Sequence, residues 1–168
     1  MRWIITAAIL CAHLPLAHAD AADDYETETT ASPRVGKNLF YVEALGKGGL
    51  YGVGYERVLT KRLALGAAAS YAVLSDQEVL TFAPYVHGTL LQGKRHALFT
   101  ELGAILAQSH LPSPVSGWDG MTTSGGGGFL SLGWEYTRGH FFLRTSGSVV
   151  VGDGGIGPTL GFAFGFRL

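Results

Sequence analysis

From Lys37 onward the chain changes side-chain character with a period of two. Phe40, Val42 and Ala44 alternate with Tyr41, Glu43 and Leu45, and after Gly46-Lys47-Gly48-Gly49 the alternation resumes with Tyr51, Val53 and Tyr55 against Gly52, Gly54 and Glu56. That period belongs to extended strands, whose successive side chains point to opposite faces, and it argues against an amphipathic helix, which repeats about every 3.6 residues. Carried along the chain, it predicts eight strands at 38–46, 49–58, 62–74, 79–91, 96–108, 125–137, 140–151 and 158–168. Most span about 9 to 13 residues, longer than usual in soluble sheets and close to the length that crosses a bilayer at a tilt.

The composition narrows the class further. Charged residues make up 15% of the 168, and 25 are glycine, against roughly 25% and 7% in ordinary soluble domains. A mean hydropathy of +0.23 with a formal charge of −1 excludes a disordered chain. No basic excess exists to hold a phosphate backbone, so nucleic acid is not an expected partner.

The first 19 residues read as a secretory signal peptide, with Arg2 as the positive region, an apolar stretch from Trp3 to Leu16, and Ala17-His18-Ala19 before Asp20. Cys11, the single cysteine, lies inside that leader, preceded by Leu10 where a lipoprotein would need a small residue. The processed chain would therefore carry no disulfide and no thiolate metal site. Residues 20–36 hold Asp20, Asp23, Asp24, Glu26 and Glu28 against Arg34 alone and read as an acidic, disordered segment. Residues 37–168 form the folded domain.

The connections between strands alternate in kind. One set, Leu59 to Arg62, Gln92 to Arg95 and Thr137 to His140, is short and basic; the other is the turn at Gly46 to Gly49, Ser75 to Glu78, the long segment from Ser109 to Ser124, and Gly152 to Gly155. In an up-and-down meander, alternate connections fall at opposite ends, so the chain predicts a short-turn end and a loop end, as transmembrane barrels have. The faces agree with this arrangement. In the last strand Leu160, Phe162, Phe164, Phe166 and Leu168 share one face, with Thr159, Gly161, Ala163, Gly165 and Arg167 on the other. The expected fold is all-β: an eight-stranded antiparallel up-and-down transmembrane β-barrel.

Parity places Glu43, Glu56, His87, Glu101, Glu135, Arg144 and Arg167 on the inner face, with Tyr41 and Tyr85, and fills the remaining inner positions with small residues. A two-residue turn at Arg138-Gly139 would pair Trp134 with Leu143 and Glu135 with Phe142, leaving Arg144 diagonal to Glu135. An eight-stranded interior is just wide enough for side chains to fill, so these groups are expected to form a hydrogen-bonded plug. The alternative use of the same cluster is to bind protons or ions in a narrow pore.

The signal peptide, the strand Gly49 to Arg57 and the strand Gly161 to Leu168 together resemble the small eight-stranded outer-membrane β-barrel proteins of Gram-negative bacteria. The resemblance implies residence in the bacterial outer membrane and contact with outer-membrane lipid and lipopolysaccharide. It also implies recognition of the assembly signal Phe162, Phe164, Phe166 and Leu168 by the barrel-assembly machinery, with Leu168 in place of the usual terminal aromatic. It speaks to fold and location more than to activity. A monomer serving a structural or surface-interaction role is the expectation.

Chemical motifs are sparse. No phosphate loop, zinc-ligand spacing or nucleophile elbow is present, so no cofactor and no metal are expected. The best enzymatic constellation is Ser109, His110 and Ser113 in the long loop, which would suit an outer-membrane lipid hydrolase resembling the lipid A deacylases if a serine, a base and an orienting group converged. A soluble, lipocalin-like carrier is the third reading; it predicts apolar inner faces and polar outer ones.

Overall fold

The computed structural model describes residues 36–47, 49–74, 77–113, 120–153 and 155–168. The signal peptide at 1–19 and the acidic segment at 20–36 lie outside these residues, apart from Gly36. Eight strands follow in chain order: β1 (Asn38–Ala44), β2 (Tyr51–Val58), β3 (Leu63–Leu74), β4 (Gln77–Gln92), β5 (His96–Leu111), β6 (Met121–Arg138), β7 (Phe141–Gly152) and β8 (Gly155–Arg167). Each pairs antiparallel with the next, and β8 returns to β1 with Leu39 opposite Arg167 and Ala44 opposite Phe162. Closure removes the free strand edges that would otherwise invite aggregation.

The alternation read from the sequence sorts the faces. Phe162, Phe164 and Phe166 point outward with Leu130, Leu132 and Leu143, while Leu39, Tyr41, Tyr85, Phe99, Phe129 and Phe142 are buried inside. The inner aromatics pack by a rule visible in the register: each stands directly opposite a glycine. Tyr41 pairs with Gly54, Tyr85 with Gly66, Phe99 with Gly133, Phe129 with Gly103 and Phe142 with Gly165. A Cβ at Gly54 or Gly66 would overlap the ring of Tyr41 or Tyr85. Part of the glycine surplus therefore makes room for large rings inside a narrow barrel.

Two expectations require correction. The segment from Ser109 to Ser124 is not a loop throughout: β5 runs to Leu111 and β6 starts at Met121, with Ser109 opposite Thr123 and His110 opposite Thr122. Gly125 to Gly128, which open the expected strand at 125–137, lie within β6 opposite Ala104 to Ala107. Glycine-rich, serine-rich and threonine-rich stretches score poorly as strand because they bring little side-chain surface, and here backbone pairing extends them anyway. The β6–β7 turn is Gly139-His140, one residue later than expected, so Glu135 faces Arg144 directly and Trp134 pairs with Thr145. Gly139 takes a φ of 62° at the first central position of the hairpin, where a type II′ turn requires a glycine.

The rim is uneven. β1 and β2 have 7 and 8 residues, whereas β4, β5 and β6 have 16, 16 and 18, so a tall wall on one side faces a low one across the loop end.

Candidate functional site in the barrel lumen

The inner faces of seven strands and one loop deliver a continuous charged cluster to the middle of the barrel. Glu43 (β1), Glu56 (β2), His87 (β4), Glu101 (β5), Glu135 (β6), Arg144 (β7) and Arg167 (β8) are all buried. The centre is Arg144. Its Nη1 and Nη2 donate to the two oxygens of Glu56 at 2.7 and 3.0 Å, and its Nε donates to Glu135 at 2.7 Å. This fork geometry is the one a planar guanidinium satisfies best. Glu135 also accepts from Arg167 Nη2 at 2.6 Å, so the two arginines are bridged by one carboxylate.

A second group of contacts joins this centre from the loop end. Lys47, in the β1–β2 loop, turns into the lumen and donates to Glu101 at 2.9 Å and to Glu43 at 3.1 Å. Its ammonium also lies 4.5 Å from the ring centre of Tyr85, a cation–π distance. Burial alone would pull the Lys47 pKa down, but Glu101, Tyr41 and Glu43 outweigh it and hold the value above that of ordinary lysine. Tyr41 and Tyr85 share a hydroxyl hydrogen bond of 2.8 Å, and Tyr85 donates to Glu56 at 3.1 Å. His87 Nδ1 lies 3.3 Å from Glu101, with its ring stacked on Phe99 at 4.9 Å.

Sequence reasoning missed Lys47. It sits in Gly46-Lys47-Gly48-Gly49, which reads as a solvated turn. Glu43, four residues earlier on an inward position, was the available signal. With Lys47 included, four carboxylates meet three permanent cations and His87 among the described residues. Glu56, His87 and Glu101 present ligand atoms within 4.8 Å of one another. Arg144 stands 2.7 Å from Glu56 and 3.8 Å from Glu101, and Lys47 reaches Glu101, so positive charge of the kind a metal would bring is already built from side chains.

The loop-end candidates are arranged differently. Ser109 is on the inward parity of β5 and accepts a hydrogen bond from Gln77 Nε2. His110, the next residue, has its Nδ1 3.0 Å from Thr122 Oγ1, and Ser113 lies beyond the end of β5. The described contacts thus pair His110 with a threonine and Ser109 with a glutamine. Ser116, Trp118 and Asp119 lie outside the described residues. At the turn end, His96 stacks on Trp134 at 5.3 Å and His140 Nδ1 lies 2.9 Å from the Arg167 carbonyl oxygen.

The same architecture occurs in solved structures. The N-terminal β-barrel domain of OprF from Pseudomonas aeruginosa matches with a TM-score of 0.52 at 16% identity, over 78% of this chain and 97% of that one. Ail, the attachment invasion locus protein of Yersinia pestis, matches with a TM-score of 0.53 at 12% identity, over 78% and 95%. The chain has the fold of the small eight-stranded outer-membrane barrels. No family model and no curated protein matches its sequence.

Proposed function

We propose that the chain is an integral barrel of the bacterial outer membrane, plugged by its own side chains, with a structural or surface-interaction role carried by its loop end. One observation supports this above the others: the barrel is apolar outside and ion-paired inside. Leu130, Leu132, Phe162, Phe164 and Phe166 are each at least half exposed, whereas Glu56 and Arg167 are fully enclosed. In water that distribution would leave a large apolar surface unprotected, and a lipocalin-like carrier would need the reverse. A bilayer makes it favourable. On this reading the outward row Phe162, Phe164 and Phe166 is also what β8 would offer to the barrel-assembly machinery.

Extraction and gel migration test the reading. The protein should fractionate with outer membranes and migrate faster unheated than boiled; recovery in the soluble fraction would refute it. Replacing Leu132 by Arg should cost about 2–4 kcal/mol of folding stability in vesicles if that position lies near the midplane, whereas a water-facing site would tolerate the change. The plug predicts little conductance across planar bilayers, and steady channels from the unaltered protein would overturn it.

A further inference from the structure

We propose that the upper edge of β6, residues 121–126, is a docking strand that pairs with an extended, positively charged segment of another protein. The inference rests on the membrane reading above and deepens its surface role by naming the surface and the kind of partner.

Closure seals a barrel only where neighbouring strands are equally tall. β6 pairs with β5 as far as Met121, opposite Leu111, but with β7 only as far as Gly127, opposite Gly152. Residues 121–126 therefore have a neighbouring strand on one side alone. In an antiparallel ladder every second residue turns both its N–H and its C=O to the same side. Gly126 turns to the free side, since its N–H donates to Asp153 Oδ2 at 3.3 Å. Ser124 and Thr122 share that parity, so their N–H and C=O groups face the side where β7 has ended. Unpaired backbone is not tolerated against hydrocarbon, so on the membrane reading this edge stands in water.

Two other strands outrun a neighbour, and each is obstructed. β8 rises past its last pairing with β1 at Ala44, but it carries Pro158, which has no N–H to offer, and Gly161 lies close to Gly46 of the β1–β2 loop. β3 rises past its last pairing with β2 at Val53, yet Ser70 and Ala72 border the space beneath that same loop. Residues 121–126 lack the devices by which natural edges resist pairing: they include no charge and no proline, and all are exposed.

Charge selects among occupants. Asp153 stands at the foot of the edge and Glu78 is exposed on β4 at the same end, whereas Lys61, Arg62, Lys94, Arg95 and Arg138 stand at the turn end. The small side chains of Thr122, Thr123 and Ser124 let a strand approach but read little of its sequence, so backbone bonds supply the affinity and charge the selection. A second copy in the same membrane fits poorly: both β6 strands would descend from the loop end, and strands tilted about 35–45° to the normal would cross instead of lying side by side. The chain's own segment before β1 joins the barrel at the turn end, where Asn38 pairs with Arg57.

The test uses the full processed chain, deuterated and nitrogen-15 labelled, in dimyristoylphosphatidylcholine nanodiscs, with amide hydrogen exchange read residue by residue. The probes are a decapeptide of alternating threonine and lysine, its threonine–glutamate counterpart, and the lysine peptide with alternate amides N-methylated. The lysine peptide should slow exchange at Thr122 and Ser124 several-fold and leave Thr123, whose amide serves β5, unchanged; the other two should not. Ser124→Pro removes a free-side N–H and no bond to β5, so it should abolish the slowing while the barrel keeps its unheated gel migration, and Asp153→Asn should weaken it. No slowing with the lysine peptide in excess, or equal slowing by its N-methylated form, would overturn the docking strand and leave the membrane reading standing. Equal slowing by the glutamate peptide would overturn the cationic partner. Slowing that needs no peptide and rises with protein concentration would overturn the proposal in favour of a second copy. A chain that stays soluble and does not enter nanodiscs would fail the membrane reading itself.

Discussion

The lumen is built in two ways along one axis. Toward the short turns and through the middle, Glu56, Glu135, Arg144, Arg167, Leu39 and Phe142 fill the barrel so completely that none exceeds 4% exposure. Toward the loops the inward residues are Ser70, Ala72, Val79, Thr81 and Thr159, and they border an open space of about 320 Å³ beneath Leu45 and Leu50 of the β1–β2 loop. The ladders of β1 with β8 and of β2 with β3 stop at Ala44–Phe162 and Val53–Ala69, so a low wall borders the loop half. Side-chain volume and charge add to the difference: long ionic groups bridge the barrel in one half, and small side chains cannot reach across it in the other. The fully enclosed side chains therefore occupy one level of the lumen, and Lys47 marks its upper limit.

Breaking the filled half should have the largest effect. Arg144→Ala removes three hydrogen bonds at once and leaves Glu56 and Glu135 buried against fewer cations. Removing one partner of a buried ion pair costs about 3–5 kcal/mol. Equilibrium urea unfolding in lipid vesicles should show a loss of that size, with raised conductance in planar bilayers. A loss below about 1 kcal/mol would mean that water replaces the guanidinium readily and that the filled half is not closed.

The same contrast explains what the sequence could reveal. Strand number, the inward and outward faces, and the inward placement of all seven predicted lumen residues follow from a period of two, because parity is a property of each strand alone. Three features escaped. The β6–β7 register depends on which two residues form the turn, and Arg138-Gly139 and Gly139-His140 offer nearly the same composition while shifting every partner by two. Lys47 escaped because a loop has no parity: inward Glu43, four residues earlier, is the one local hint, and its other partners Glu101 and Tyr85 arrive from strands distant in sequence. The polar upper ends of β5 and β6 were lost for a related reason, since their pairing lies in backbone hydrogen bonds that side-chain patterns do not report.

An intermediate effect should come from the aromatic and glycine pairs that line the middle. Gly66→Ala places a methyl group against the Tyr85 ring, and Tyr85 holds both Tyr41 and Glu56. Overpacking of a filled interior costs about 1–3 kcal/mol. The same substitution at Gly157, on the inward parity of β8 above Thr159, meets no atom within 4 Å and should leave the urea midpoint nearly unchanged. Equal losses at the two glycines would place the cost in strand propensity and erase the distinction between the halves.

The smallest expected change falls in the open half. Thr159 borders the space under the β1–β2 loop, and its hydroxyl oxygen is buried with no hydrogen-bond partner among the described residues. Valine keeps the branched shape and removes the hydroxyl, so Thr159→Val trades an unmet polar group for a methyl. Because a buried unpaired hydroxyl carries a desolvation cost, the variant should be as stable as the parent or more stable by up to about 1 kcal/mol. The same measurement separates two descriptions of the loop end. If Thr159 instead belongs to a tight hydrogen-bonded network, valine will destabilise the barrel by a similar amount, and the open half will have to be regarded as a second filled level.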